Sequence, residues 1–182
     1  MTSLKKNSDP VSGVIWITGL SGSGKTTLAT KLRSKYLEND TDVIHLDGDE
    51  LRVVLGVDGG YDSASRLSIG KTYARLARML ATQGNIVIVS AIALFNEVHA
   101  LNKQFPDYCE IYLESNQEIL AERDQKSVYK KNYLRNKNVV GLDIKPQFPQ
   151  APHRLIPNSP LSHSEIDIDE LYSFTLSFMR PR

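Results

Sequence analysis

Val14-Ile15-Trp16-Ile17-Thr18-Gly19-Leu20-Ser21-Gly22-Ser23-Gly24-Lys25-Thr26-Thr27 is the stretch from which the rest of the chain is read. Its first five residues are apolar and rich in β-branched side chains, as expected of a parallel strand buried on both faces. Residues 19–26 then spell G-x-x-x-x-G-K-[ST], the pattern of a loop that wraps phosphate oxygens. Gly19, Gly22 and Gly24 let the backbone adopt conformations closed to other residues, so that successive N–H groups converge on an anion with no Cβ in the way. Beyond the loop, Thr27, Leu28, Ala29, Leu32 and Tyr36 fall at helical spacing, and Lys31, Arg33 and Lys35 fill the opposite face. A chance glycine-rich turn would lack these flanks. Strand, loop and helix come in the order that sets a phosphate at a helix N-terminus.

The same periodicities carry outward. Asp42-Val43-Ile44-His45-Leu46 reads as a second strand running into Asp47-Gly48-Asp49. Ser63 to Gln83 reads as a long helix, with Leu67, Tyr73, Leu76, Ala77 and Leu80 on one face and Gly84 as its stop. Ile86 to Val89 and Cys109 to Leu113 make a third and a fourth strand, and Ser115-x-x-Glu118 is a capping box opening another helix through Ile119, Leu120 and Arg123. From Asp124 to Gly141 periodicity is lost among Lys, Arg and Asn, which reads as a mobile lid or as a solvated surface helix. A proline-broken stretch then surrounds a short strand at Arg154-Leu155-Ile156, and the chain closes with an amphipathic helix carrying Ile168, Leu171, Tyr172, Thr175 and Phe178. Alternating strands and helices predict an α/β protein: a three-layer, P-loop NTPase-type fold with a parallel sheet and helices on both faces. The expected organisation is a polar tail at 1–12 and one domain over 13–182, with the lid at about 124–141.

The 182 residues suit one domain. With 22 basic and 21 acidic side chains there is no net field to draw the chain to nucleic acid or to an acidic membrane, and neither is an expected partner. Lys5 and Lys6 have no apolar stretch behind them, as a secretory leader would require, and the run from Ile86 to Phe95 is too short to cross a bilayer. A cytoplasmic protein is expected. Cys109, the single cysteine, reads as a half-buried strand thiol rather than a nucleophile. The histidines, His45, His99, His153 and His163, have no paired metal-ligand spacing and are assigned no metal.

In a loop of this kind Lys25 reaches the β- and γ-phosphates, and the Thr26 hydroxyl completes a magnesium shell, so ATP and Mg2+ are the expected cofactors. A guanine switch would need an N-K-x-D element, and Asn136-Lys137-Asn138-Val139 lacks the aspartate. A motor would need a longer chain. A small-molecule or nucleotide kinase fits best. Asp49 is then the candidate that orients or deprotonates the acceptor hydroxyl, and Asp47 the one that holds magnesium through water. The alternative for this pair is an Asp-Gly turn with a helix cap at Asp49. Arg52 and Arg66 suit anionic groups of an acceptor, or are ordinary exposed helix arginines.

Gly19 to Thr27, Asp47-Gly48-Asp49-x-Leu51-Arg52, Gly60-Tyr61 to Arg66, Ile88-Val89-Ser90-Ala91-Ile92, Arg123-Asp124-x-Lys126-x-x-Tyr129-Lys130-Lys131 and Gly141-x-Asp143 follow one another as they do in adenylyl-sulfate (APS) kinases. From about residue 13 to 158 the chain resembles that family. The resemblance implies transfer of the γ-phosphoryl group of ATP to the 3′-hydroxyl of a nucleotide, by default APS giving PAPS. It implies an ATP site formed by Gly19, Leu20, Ser21, Gly22, Ser23, Gly24, Lys25, Thr26 and Thr27, with Arg123 as a platform for adenine. It also implies an acceptor site of Asp49, Arg52, Tyr61, Arg66, Ile92, Lys126 and Val139, with Lys126 and Lys130 closing over the phosphates. Ser90 matches a family serine whose part is packing or catalysis, and a homodimer is a further expectation.

Several positions depart from the family pattern, all near the acceptor. Val139 stands where a phenylalanine is expected, Ile69 replaces an acceptor-binding asparagine, Ser65 replaces the aspartate before Arg66, and Ala93-Leu94-Phe95-Asn96 replaces Ser-Pro-Phe-Arg. These changes resemble a branch of APS-kinase-like proteins found with surface-polysaccharide genes, one type of which phosphorylates cytidine diphosphoramidate at its 3′-hydroxyl. A smaller base needs less stacking surface. A reading from another class, a non-catalytic ATP-binding scaffold, differs in that Asp49 would then have nothing to do.

Overall fold

Val11–Gly19 forms β1 and is buried from Gly13 onward in the computed structural model of the chain, which describes residues 11–57, 60–115, 140–141, 143–158 and 166–181. β1 pairs in parallel with β3 (Ile86–Ala91) on one side and β4 (Tyr108–Ser115) on the other, with Val14 opposite both Val87 and Tyr108. β2 (Val43–Asp47) flanks β3 and β5 (Arg154–Asn158) flanks β4, giving the order β2-β3-β1-β4-β5. A short β6 (Arg180–Pro181) runs antiparallel to Val11 and Ser12. Those two residues, read above as the end of a polar tail, are therefore strand.

Successive β1 residues point to opposite layers, and both layers are apolar. Ile15 and Ile17 meet Leu28, Leu32 and Tyr36 of α1 (Lys25–Glu38) and Leu171 of α5 (Ile168–Leu176). Val14 and Trp16 meet Tyr73, Ala74 and Ala77 of α3 (Ser63–Thr82) and Val98 of α4 (Asn96–Asn102). Burial on both faces is why the strands read as unbroken apolar runs rather than alternating ones. Gly70 lets α4 lie close on α3, because a Cβ there would meet Val98 Cγ2 at 3.1 Å.

The sequence did not show α2 (Gly48–Val54), α4 or β6. Each helix has seven residues, two turns, too few to establish a period. Cys109 is fully buried rather than half-buried, since both faces of β4 are covered and its side chain packs in the core, and burial pushes its thiol up to about 12. The helix predicted after Ser115, with Arg123, and most of the lid, with Lys126 and Val139, lie outside the described residues. Among those described, no helix is long and apolar enough to cross a membrane.

α1 and α5 are joined by a buried hydrogen bond of 2.8 Å between the Tyr36 hydroxyl and Thr175 Oγ1, with Tyr172 edge-on to the Tyr36 ring. Tyr36→Phe keeps the ring and removes the bond. It is expected to lower the unfolding free energy by about 1 kcal/mol, seen in urea titration as a lower midpoint with an unchanged slope.

Candidate active site

Because β1, β2 and β3 are parallel, their C-terminal ends deliver the phosphate loop, Asp47 and Ser90 to one edge of the sheet. In the loop, Gly22 (φ 75°) and Gly24 (φ 89°) take left-handed conformations just before α1. Lys25 is buried, and its Nζ donates to Leu20 O at 2.6 Å and to Ser23 Oγ at 3.4 Å. The ammonium is thus held inside the curl of the loop that precedes it.

Asp47 is the meeting point of the site. Its Oδ2 accepts from Thr26 Oγ1 at 2.8 Å and from Ser90 Oγ at 2.7 Å, and its Oδ1 accepts from the Asp49 N–H at 3.0 Å. Ser90 is the register partner of Asp47 across β2 and β3, and its hydroxyl also lies 2.9 Å from His45 Nε2. Burial pushes the Asp47 carboxyl up, but hydrogen bonds from Ser90, Thr26 and the backbone N–H groups of Asp49 and Glu50 outweigh it and leave it below its ordinary 3.8. Burial likewise holds the His45 imidazole below its ordinary 6.5, against the pull of the Asp47 charge.

Of the two sequence readings of Asp47-Gly48-Asp49, the structure bears on the helix cap, and corrects it: the cap of α2 is Asp47, not Asp49. Asp49 sits in the first turn of α2 with its side chain exposed at the same edge. Gly48 packs closely on β3, for a Cβ there would meet Ala91 Cβ at 3.1 Å and Ser90 O at 3.3 Å. Tyr73 of α3 ties down this corner by donating to Gly48 O at 3.0 Å.

On the far side of α2, a turn with Gly60 in a left-handed conformation (φ 72°) leads into α3. Asp62 caps α3 by accepting from the Ser65 N–H at 3.0 Å and from Ser65 Oγ at 2.6 Å. This turn brings Arg52 and Arg66 to a single ring. The Arg52 guanidinium lies 4.4 Å and that of Arg66 5.3 Å from the centre of Tyr61, while Arg66 Nε donates to Tyr61 O at 2.8 Å. Burial, and then the charge of Arg52, lower the Arg66 pKa, as expected where two cations lie against one ring. Ile92 packs, partly buried, with Leu20, Leu94, Tyr112 and Val140 beside the phosphate loop.

The structure therefore gathers Lys25, Thr26, Asp47, Asp49, Arg52, Tyr61, Arg66 and Ile92 on elements bordering one edge. Arg123, Lys126 and Val139 fall outside the described residues. Ile69, at a departing position, packs against the core with α3. His45 and Tyr73 were missed as members of the site. The strand period puts His45 and Asp47 on one face of β2, but linking them through Ser90 needs the β2–β3 register, which no local pattern supplies.

A family model for adenylylsulphate kinase matches residues 11–156. The chain belongs to the adenylylsulphate kinase family. As a member of it, the chain is a phosphotransferase with a hydroxyl acceptor, which sets aside the scaffold reading. It is 44% identical over 140 residues to the cytidine diphosphoramidate kinase of Campylobacter jejuni, covering 76% of this chain and 82% of that protein. It is 33% identical over 160 residues to the adenylyl-sulfate kinase of Bacillus pumilus, covering 85% and 80%. Among solved structures, that of the Mycobacterium tuberculosis APS kinase CysC in complex with AMPPNP and APS aligns with a TM-score of 0.79 at 29% identity, covering 93% of this chain and 98% of that one. The parallel sheet with helices on both faces is thus the family fold.

The hydrogen bonds on Asp47 make its acid behaviour testable. A carboxyl with a depressed folded pKa contributes stability that is present above its unfolded value, here 3.8, and lost as pH falls through the folded value. Asp47→Asn is expected to be less stable than the wild type near neutral pH, with the gap narrowing as pH falls below 3.8 and through the lower folded value. Urea midpoints across that range check it.

Proposed function

We propose that this kinase transfers the γ-phosphoryl group of ATP to the 3′-hydroxyl of a nucleotide bearing a diphosphate-like group, with cytidine diphosphoramidate as its acceptor. The observation that carries the reaction is the continuity from Lys25 and Thr26 through Asp47 to Asp49 and on to the Arg52–Tyr61–Arg66 cluster. Phosphoryl transfer asks mainly for positioning and charge stabilisation, and these groups supply both in the required sequence.

The backbone N–H groups of residues 20–26 hold the phosphates of ATP, and Lys25 exchanges its contacts to Leu20 and Ser23 for phosphate oxygens. Thr26 spends its hydroxyl proton on Asp47, so its oxygen lone pairs are left for a hard cation, and the carboxylate beside it is ionised at neutral pH. The donor set fits Mg2+, which Thr26 would hold directly and Asp47 through water. Bound there, the ion supplies charge neutralisation to the β- and γ-phosphates. Asp49 accepts the proton of the acceptor hydroxyl as that oxygen approaches phosphorus. Arg52 and Arg66 hold the acceptor's anionic group, which relieves the repulsion between them, and Tyr61 offers a face to its base. Ile92 lines the wall beside the acceptor. Arg123, Lys126 and Val139 are assigned to the ATP adenine, the phosphates and the acceptor base.

The choice of acceptor rests on two supports. The cytidine diphosphoramidate kinase is 44% identical to this chain, against 32% to 36% for several adenylyl-sulfate kinases. The departures at Ser65, Ile69, Asn96 and Val139 also fall at acceptor positions and reduce the polar and aromatic grip suited to a purine. APS is the second reading, favoured by the phosphate loop and the Asp47–Arg52 motif that the family shares.

Phosphorus NMR of the protein with ATP, Mg2+ and either nucleotide tests this. A new 3′-phosphomonoester signal is expected with cytidine diphosphoramidate. A signal with APS alone would move the acceptor to APS, and silence with both would overturn the proposal. Lys25→Ala is expected to lower kcat by about 100- to 1,000-fold. In the same assay, Arg52→Ala is expected to raise the KM of the acceptor about tenfold while leaving that of ATP nearly unchanged.

A further inference from the structure

The contacts of Asp47 leave two residues without a part in the reaction, His45 and Ser90. Ser90 Oγ stands 2.7 Å from Asp47 Oδ2 and 2.9 Å from His45 Nε2. A serine hydroxyl has one proton. The ionised Asp47 oxygen can only accept, so that proton goes to Asp47, and Ser90 Oγ must in turn accept from His45. His45 is therefore the Nε2–H tautomer, and the three groups form a chain with one direction: His45 Nε2–H to Ser90 Oγ–H to Asp47 Oδ2. The opposite tautomer would set a Ser90 lone pair against the carboxylate oxygen.

This chain meets a second donor at the same atom. Asp47 Oδ2 also accepts from Thr26 Oγ1 at 2.8 Å, while Oδ1 is taken by the Asp49 N–H at 3.0 Å. Both carboxylate oxygens are thus engaged, and the plane of the carboxylate is set from β3, from α1 and from the start of α2 together. The direction in which Thr26 donates decides where its lone pairs point. A hydroxyl that shifts its donation shifts those lone pairs with it.

Resting on the reading given under Proposed function, we infer that His45 and Ser90 are positioning residues that act through Asp47 to aim the Thr26 oxygen at the cation carried by the nucleotide. Neither touches the reactants. The alternative is a half-buried strand histidine whose ring is merely satisfied by a neighbouring hydroxyl. Such a histidine would be replaceable by any side chain that fits the strand.

Two measurements, neither needing an acceptor, decide between them. In nitrogen-15 NMR of the free protein at mildly alkaline pH, His45 should carry its proton on Nε2, and Ser90→Ala should shift that resonance. By calorimetry, the Mg2+ needed to support ATP binding should rise about tenfold in His45→Leu and in Ser90→Ala. The double variant should be no worse than either single one, because both interrupt one chain. His45→Gln, whose amide offers an N–H to the same hydroxyl, should recover most of the loss and guards against misfolding of His45→Leu. A proton on Nδ1, an unchanged Mg2+ requirement, or a His45→Gln as impaired as His45→Leu would overturn the inference. If the wild type binds MgATP but phosphorylates neither nucleotide, the acceptor proposal fails while the tautomer and Mg2+ measurements still decide the role of His45 and Ser90.

Discussion

The carboxylate of Asp47 is the constraint on which the rest of the site depends. It accepts hydrogen bonds from residues as far apart in sequence as Thr26 and Ser90, and it also starts α2 by accepting from Asp49 N–H. Burial alone would push such a carboxyl toward its neutral form, and the hydrogen bonds reverse that tendency. One ionised group therefore fixes the phosphate loop relative to the helix that presents Asp49 and Arg52. The nucleotide half and the acceptor half of a kinase must be in line within a fraction of an ångström for transfer, and a single shared anchor is an economical way to hold them so.

How much of this was legible in the sequence follows from length and locality. β1, the loop and α1 were plain because a buried parallel strand, a glycine-spaced phosphate motif and an apolar helical period each leave a local signature in consecutive residues. α3 was legible for the same reason, since its 20 residues repeat the period many times. α2 and α4 were not, being two turns each, and β6 is two residues held by pairing with β1. At the site, Lys25, Thr26, Asp47 and Asp49 could be named from motif spacing. The bond from Ser90 to Asp47, and through it the part of His45, exists only because β2 and β3 pair in one register. Likewise, nothing local says that Arg52 and Arg66 meet at Tyr61, because the turn at Gly60 folds them together.

In the proposed reading, the chemistry and the choice of acceptor occupy different parts of the molecule. The groups proposed to face ATP sit on the loop, α1 and the ends of β2 and β3, where packing is tight, as the 2.7 Å approach of a Cβ at Gly19 to Leu113 O illustrates. The groups proposed to face the acceptor sit on α2, the Gly60 turn and the first turns of α3, where side chains are half-buried or exposed. Ser65 shows how such a change is absorbed: its hydroxyl reinforces the Asp62 cap of α3. In that reading, phosphoryl transfer is retained while the acceptor changes through a few positions on the Gly60 turn and α3.

Whether Asp47 serves both halves of the site is decided by initial-rate kinetics of Asp47→Ala with ATP and acceptor varied independently. kcat is expected to fall by at least about 100-fold, with the KM values of ATP and of the acceptor both raised, because Thr26 and α2 lose the same anchor. A loss confined to ATP, with the acceptor bound and oriented as in the wild type, would contradict it.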